Sequence, residues 1–382
     1  MMKAMCLLGQ SNVQLLDIPR PKLLKDTDVV GKVLRATICG SDLHIIDGFF
    51  NDQSTSDEEE AKSKTAKTGS IGGKTGFALG HEGVIEITEV GSSVHNFKVG
   101  DVCVVSCISC CGECHYCKRN QQSHCARSEG STPGVLGIEM NGLQSEYCRI
   151  PYADHSLYKC PKGIPLDVCL LLSDVLPTSY ELGVRGRVQE GDTVAIVGMG
   201  PIGLGALLSL KPFKPSQIIA IDTNESRLKV AQSLGATTII NPQKQTNVAE
   251  IIHELTGNQG DEVKPGVDLA IECVGFPTTF DTCQDIIAPY GKIAVVGVPG
   301  KPFNLKMDEL WISNFDLSAG LVSGNSIGEL MEKIVSGSLD PSPLITHHFK
   351  LSEIEKAYDT FRRSVDTGAI KVSITPDGVE DH

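Results

Sequence analysis

Cys111, Cys114, Cys117 and Cys125 follow the pattern C-x2-C-x2-C-x7-C. Four thiolates so close together can surround one tetrahedral zinc ion and leave no position open, which is the arrangement of a structural site. Iron–sulfur clusters use similar early spacing, but usually with a nearer fourth cysteine followed by proline; here Ala126 follows Cys125. Cys103, Cys107 and Cys110 precede the four, and Cys107 with Cys110 offers a competing register. Reduced cysteines in a loop are the plain alternative. A second set is dispersed: Cys39, His81 and Asp174 supply a thiolate, an imidazole and a carboxylate from distant points of the chain. Such a mixed set suits a catalytic zinc that keeps a fourth position open. Taken singly, Cys39 reads equally as a core thiol and His81 as a ring bonded to a carbonyl.

A third group is glycine-rich. The β-branched run 193–197 reads as a strand buried on both faces, and Gly198-Met199-Gly200-Pro201-Ile202-Gly203 follows it directly. An apolar helix over 202–210 comes next. In that setting Gly198 permits a tight turn, Gly200 lets backbone approach a pyrophosphate, and Gly203 lets the helix pack closely on the strand. The phosphates would meet the free N–H groups of a helix N-terminus, and Pro201 suits the first helical turn. Asp222 closes the next strand, 218–222, where an acidic side chain accepts both ribose hydroxyls and repels a 2′-phosphate. This points to NAD over NADP; the alternative for Asp222 is a cap for a helix over 225–234.

The elements that must carry these groups fall into two patterns. Residues 1–152 are mostly β, with short runs at 13–17, 29–38, 83–90 and 102–106 punctuated by turns, as in a small barrel. The segment 51–76 is polar and low in complexity, and is expected to be a solvated loop without an element of its own. From about 162 strands and helices alternate. Strands are expected at 193–197, 218–222, 238–240, 267–272, 292–296 and 316–319, with helices at 226–234, 248–255 and 278–288 between them. Six such strands make a doubly wound parallel sheet. A helix at 327–335, an extended 343–351, a helix at 353–363 and a strand near 369–374 return to the first domain.

The whole-chain balance is that of an ordinary globular chain and narrows its partners. The 382 residues are enough for two or three domains, and a net charge of -13 without a basic cluster excludes nucleic acid as a partner. No N-terminal segment resembles a signal peptide and no apolar run is long enough to span a bilayer, so no membrane role and a cytoplasmic location are expected. Without secretion, fourteen cysteines read as metal ligands and buried thiols.

Taken together, Cys39-Gly-Ser-Asp-Leu-His44, Gly80-His-Glu-Gly83, the four-cysteine lobe, Leu172-Ser-Asp-Val-Leu-Pro-Thr178 and Gly198-Met-Gly-Pro-Ile-Gly203 resemble the zinc-dependent medium-chain dehydrogenase/reductase family over nearly the whole chain. Ser123-His-Cys125 and the stretch around Asp174 look most like its branch of secondary-alcohol dehydrogenases and glutathione-independent formaldehyde dehydrogenases. The resemblance implies an α/β chain: a GroES-like β-rich catalytic domain from 1–161 and 321–382, with a zinc lobe at 103–125, and a Rossmann NAD-binding domain at 162–320, the active site lying in the cleft between them. It implies that Cys39, His81 and Asp174 hold the catalytic zinc, with Glu82 behind them or exchanging with a ligand, and that Cys111, Cys114, Cys117 and Cys125 hold the second of two zinc ions per chain. Ser41 and His44 match the proton relay. Thr178 would touch the nicotinamide, Arg227 the adenosine ribose, and Val274 and Val298 the walls of the cofactor cleft.

The activity implied is reversible hydride transfer from a primary or secondary alcohol to NAD+, by a homodimer or homotetramer. Formaldehyde dehydrogenase or dismutase and polyol dehydrogenase are alternatives on the same apparatus, and a zinc- and nucleotide-binding redox sensor is the non-enzymatic one. The segment 51–76 and the cysteines 103, 107 and 110 depart from the family pattern. Because the flanks of 51–76 carry Cys39 and His81, that segment is expected to form a mobile flap at the substrate entrance, with Phe49 and Phe50 anchoring its base; a neutral surface insertion is the equal alternative, since long loops are tolerated cheaply.

Overall fold

In the computed structural model the run Thr193–Val197 is a strand with all five residues buried. The residues described are 1–9, 11–48, 70–71, 74–129, 134–138, 140–257 and 265–380, and the chain divides into two units. One unit comprises Thr178–Leu321 and Gly337–Leu344; the other comprises Met1–Pro177, Val322–Ser336 and Ile345–His382.

The strand's burial in the first of these follows from its place at the centre of a parallel six-stranded sheet. The order is Thr238–Ile240, Gln217–Ile221, Thr193–Val197, Val267–Glu272, Ile287–Val295 and Asp316–Ala319. Parallel neighbours cannot be joined by tight turns, and helices Pro201–Leu210, Glu225–Ser233, Val248–Thr256 and Pro277–Ile286 lie between successive strands. The chain runs outward in one direction from Thr193–Val197 and then in the other from Val267–Glu272. The glycine loop therefore leaves the sheet where the strand order reverses, the position at which open α/β sheets take their ligands. One helix is shorter than its sequence suggests. The segment expected to stay helical to 288 turns extended at Ile287, which pairs with Val267. Pro289 disfavours a helical residue before it, and Tyr290 has φ 59°.

The other unit is built on a seven-stranded sheet. Leu157–Lys159, Val102–Val105, Gly83–Val90, Val29–Thr37, Lys371–Thr375 and Ile345–Lys350 lie side by side, and Tyr147–Ile150 also pairs with Val29–Thr37. The last strand of the chain thus sits inside the sheet, antiparallel to Val29–Thr37 and parallel to Ile345–Lys350, and all five of its residues are buried. Val33, Ile85, Ile87, Val105, Ile150, Val372 and Ile374 meet in one core. Immediately after Val29–Thr37 a short helix, Gly40–Ile46, begins, and the Cys39 N–H donates to Asp42 Oδ2 at 2.9 Å to close its first turn.

Phe49, Phe50 and most of the expected flap lie outside the described residues. Its end is not loop throughout: Ser70–Ile71 pairs antiparallel with Lys74–Thr75, a ladder suited to the Gly-Gly dipeptide between them in the sequence.

Candidate metal centres and dinucleotide cradle

Cys39, at the end of the long strand's turn, and His81 with Glu82, just before Gly83–Val90, are brought to the same edge of the sheet. Asp174 comes from the turn before the helix Val175–Arg185. One ligand atom from each of these four lies within 4.8 Å of the other three. Asp174 Oδ2 is 3.4 Å from His81 Nε2 and 3.8 Å from Cys39 Sγ. Ser41 Oγ lies 3.3 Å from His81 Nε2. His44 is three residues further along the same helix, hence on the same side of it, and half-buried. Its burial lowers the imidazole pKa, against the weaker pull of Asp47.

The surroundings fix these groups. Asp42 is fully buried, and its Oδ1 lies 3.5 Å from His81 Nδ1, a charge contact longer than a hydrogen bond. Gln144 Nε2 donates to Asp42 Oδ2 at 3.1 Å, and Tyr358 Oη donates to Gln144 Oε1 at 2.7 Å. A carboxylate on the far nitrogen of a histidine is the usual way its ligating nitrogen is oriented. Burial opposes a charge on His81, but Asp42 and Asp174 outweigh it and raise its pKa well above the ordinary value. Lys371 Nζ donates to Glu82 Oε1 and to the Ile38 carbonyl, with both charged side chains 1% exposed. Glu82 Oε2, also buried, accepts no hydrogen bond. A thiol, an imidazole and two carboxylates gathered in this way, one with an orphaned oxygen, form a donor set that a divalent metal would satisfy. Asp42, Lys371 and Gln144 were not singled out from the sequence.

Cys111, Cys114, Cys117 and Cys125 are the second gathered set, all buried, their sulfurs within 4.8 Å of one another. Two 3-10 turns, Cys117–Arg119 and Gln122–His124, bend the lobe so that Cys125 returns, and its sulfur accepts the Cys111 N–H at 3.3 Å. The backbone N–H groups of Cys117 and Ala126 pull the Cys114 pKa down to about 6. The competing register is not gathered as a pair: Cys107 stands apart, its thiol donating to Asp174 at 3.7 Å, whereas Cys110 packs against the four with its thiol donating to the His155 carbonyl at 3.6 Å.

In the parallel-sheet unit, Gly198 has φ +98°, and a Cβ there would strike Val274 at 2.4 Å. A Cβ on Gly203 would lie 1.8 Å from the Gly198 carbonyl oxygen, so this crossing excludes any other residue. Gly200 is different: only Arg227 Nη1, at 4.0 Å, faces its Cβ position. The loop is open there and carries a guanidinium beside it, which fits a phosphate. Asp222 accepts the Met199 N–H at 2.6 Å and the Asn224 N–H at 2.7 Å. It therefore does not cap the following helix, whose cap is Asn224. Pro201 occupies the first turn of Pro201–Leu210, and Ser179, next to the buried Thr178, donates to the Ile202 carbonyl at 2.9 Å. Val274 and Val298 are partly exposed, and their segments touch at Gly275, where a Cβ would meet the Val298 carbonyl oxygen at 2.2 Å. Buried Glu272, not foreseen from sequence, holds this turn by accepting from Val274 N, Gly275 N and Thr279 Oγ1.

Comparison with known proteins adds two family matches. Residues 25–162 match the alcohol dehydrogenase GroES-like domain, and residues 201–336 match the zinc-binding dehydrogenase domain. The chain is 34% identical to zinc-type alcohol dehydrogenase B of Aspergillus flavus, over 78% of the chain and 64% of that protein. Among solved structures it is similar to zinc-dependent alcohol dehydrogenase 2 from Streptococcus pneumonia (39% identity, TM-score 0.87, all of both chains). It is also similar to alcohol dehydrogenase TADH from Thermus sp. ATN1 (29% identity, TM-score 0.84, 98% of this chain and 100% of that one).

Proposed function

The chain belongs to the zinc-dependent alcohol dehydrogenases of the medium-chain dehydrogenase/reductase family, and from that premise we propose that it oxidises a primary or secondary alcohol reversibly with NAD+, using two zinc ions per chain. The observation that carries this reading is the meeting of Cys39, His81, Glu82 and Asp174 around one point, with Ser41 beside His81. Cys39, His81 and Asp174 would hold the catalytic zinc, with Glu82 behind them or exchanging with a ligand, while Cys111, Cys114, Cys117 and Cys125 would hold the structural one. When bound, zinc supplies a Lewis acid that makes a substrate hydroxyl more acidic, and the nicotinamide supplies a two-electron acceptor.

The chain's own residues do the rest. The Ser41 hydroxyl takes the proton from the substrate and passes its own to the His44 ring, whose lowered pKa keeps it neutral and able to accept. The glycine loop 198–203 cradles the pyrophosphate, with Arg227 at the adenosine ribose, Thr178 at the nicotinamide, and Val274 and Val298 walling the cleft. Asp222 is held by two backbone N–H groups with lone pairs left for the ribose hydroxyls, and its charge supports NAD+ over NADP+.

The branch of secondary-alcohol and glutathione-independent formaldehyde dehydrogenases fits the sequence around Asp174. We assign residues 162–320 to nucleotide binding and 1–161 with 321–382 to catalysis. Fourteen free thiols fit a reducing compartment, the cytoplasm, and no helix among the described residues is long and apolar enough to cross a membrane. A homodimer or homotetramer is the proposed assembly.

Metal analysis with a screen of alcohols at the NADH absorbance band tests the reading. Wild-type protein should carry two zinc ions per chain, and Cys39→Ser and Cys114→Ser should each remove one. Cys39→Ser should also lower kcat about a thousandfold or more while NADH still binds. One zinc or none in active wild-type enzyme contradicts the two-site reading.

A further inference from the structure

The two carboxylate oxygens of Asp174 have different neighbours. Oδ2 faces the ligand set, 3.4 Å from His81 Nε2 and 3.8 Å from Cys39 Sγ. Oδ1 accepts from the Cys107 thiol at 3.7 Å. The Cys107 backbone N–H also donates to the Ser173 carbonyl at 3.0 Å, so this one residue grips the 173–174 turn at two points. Its own place is set by the sheet, two residues beyond Val102–Val105. It is 3% exposed and packs with Ile108, Val322 and Val135.

We propose that Cys107 is a positioning residue for the metal centre, whose thiol occupies Oδ1 of Asp174 and leaves Oδ2 alone to bind zinc. This rests on the reading of Cys39, His81 and Asp174 as zinc ligands. A carboxylate that turns freely binds a metal through either oxygen or both. Two-oxygen binding would fill the position a substrate oxygen must take. With one oxygen engaged by a donor outside the ligand set, the other is presented singly and in a fixed direction. Groups that hold ligands in this way are a recognised source of metal affinity. A serine hydroxyl can donate as the thiol does; alanine and valine cannot.

Zinc release from the holoenzyme to a colorimetric chelator tests this, with Cys107→Ala, Cys107→Val and Cys107→Ser compared. Cys39→Ser identifies the release phase that belongs to this centre. In the alanine and valine variants that phase should quicken about tenfold to a hundredfold, while the serine variant stays within about threefold of wild type. Cobalt(II) in place of zinc gives a second readout: its d–d bands should shift for alanine and valine and stay in place for serine. Valine fills the space without a donor, so it also serves if the alanine variant folds poorly. Wild-type release in the valine variant overturns the proposal, and so does equal acceleration in the serine variant. If no release phase depends on Cys39, the zinc reading falls and this inference with it.

Discussion

Lys371 carries a positive charge at a place 1% exposed, with Glu82 as its counter-charge. With a divalent metal held by Cys39, His81 and Asp174, Lys371 would offset part of the negative charge gathered there without occupying a ligand position. Removing one member of a buried pair strands the other, at a cost of about 3–5 kcal/mol. Lys371→Ala should therefore lower stability by about that amount in urea unfolding. Lys371→Met combined with Glu82→Gln should lose far less; equal losses would show that packing, and not charge, is at stake. His44 makes a prediction about pH. Burial depresses its pKa below 6.5, so the ring stays neutral, and able to accept a proton, into mildly acidic solution. By linkage, the stability associated with that neutral ring is present above 6.5 and falls as pH drops below it. His44→Ala should slow alcohol oxidation about tenfold or more, most strongly on the acid side where solvent is the poorer acceptor. An unchanged pH–rate profile would remove His44 from the relay.

At the scale of elements, the proposed choice of NAD+ over NADP+ would be made at the end of Gln217–Ile221. Asp222 is anchored there by Met199 N–H and Asn224 N–H, so its carboxylate cannot swing away from a 2′-phosphate. Asp222→Gly should move the ratio of kcat/KM for NADP+ over NAD+ upward by about a hundredfold. Wild-type preference for NADP+ would refute the assignment. This strand and Thr193–Val197, with the glycine loop that follows the latter, were legible because both faces are covered, which writes each as a nearly unbroken apolar run. The gathering of the four-cysteine lobe was equally legible, since its members are close in sequence. Lys371 was not. In Lys371–Thr375 polar and apolar residues alternate, the signature of a half-exposed strand, yet all five are buried because strands flank it and both faces are packed. Its partner Glu82 is 289 residues away, and no local pattern encodes such a contact. Asp42 escaped notice for a related reason: a capping residue and a histidine partner look alike until the fold brings His81 to it.

For the whole molecule, the parallel sheet ends in the open strand Asp316–Ala319, where Leu317 is 42% exposed and nearby Trp311 and Ile312 are 65% and 70% exposed. An open strand edge with exposed apolar neighbours is a liability unless another chain covers it. Light scattering at micromolar concentration should give the mass of a dimer or tetramer; a monomer mass would refute the assembly. The sheet that carries the metal ligands has a different dependence, on time. Its strand Lys371–Thr375 lies between Val29–Thr37 and Ile345–Lys350, so the unit joins segments far apart in synthesis: Lys371 bonds the Ile38 carbonyl across 333 residues. The glycine-loop unit is nearly continuous in sequence and can fold while the chain is still on the ribosome. Until Lys371–Thr375 has been made, Glu82 lacks this counter-charge and the Ala36–Thr37 end of the long strand lacks this partner. The glycine-loop unit can therefore form before Lys371 exists, whereas the cluster around Glu82 gains its counter-charge only once that residue has been made.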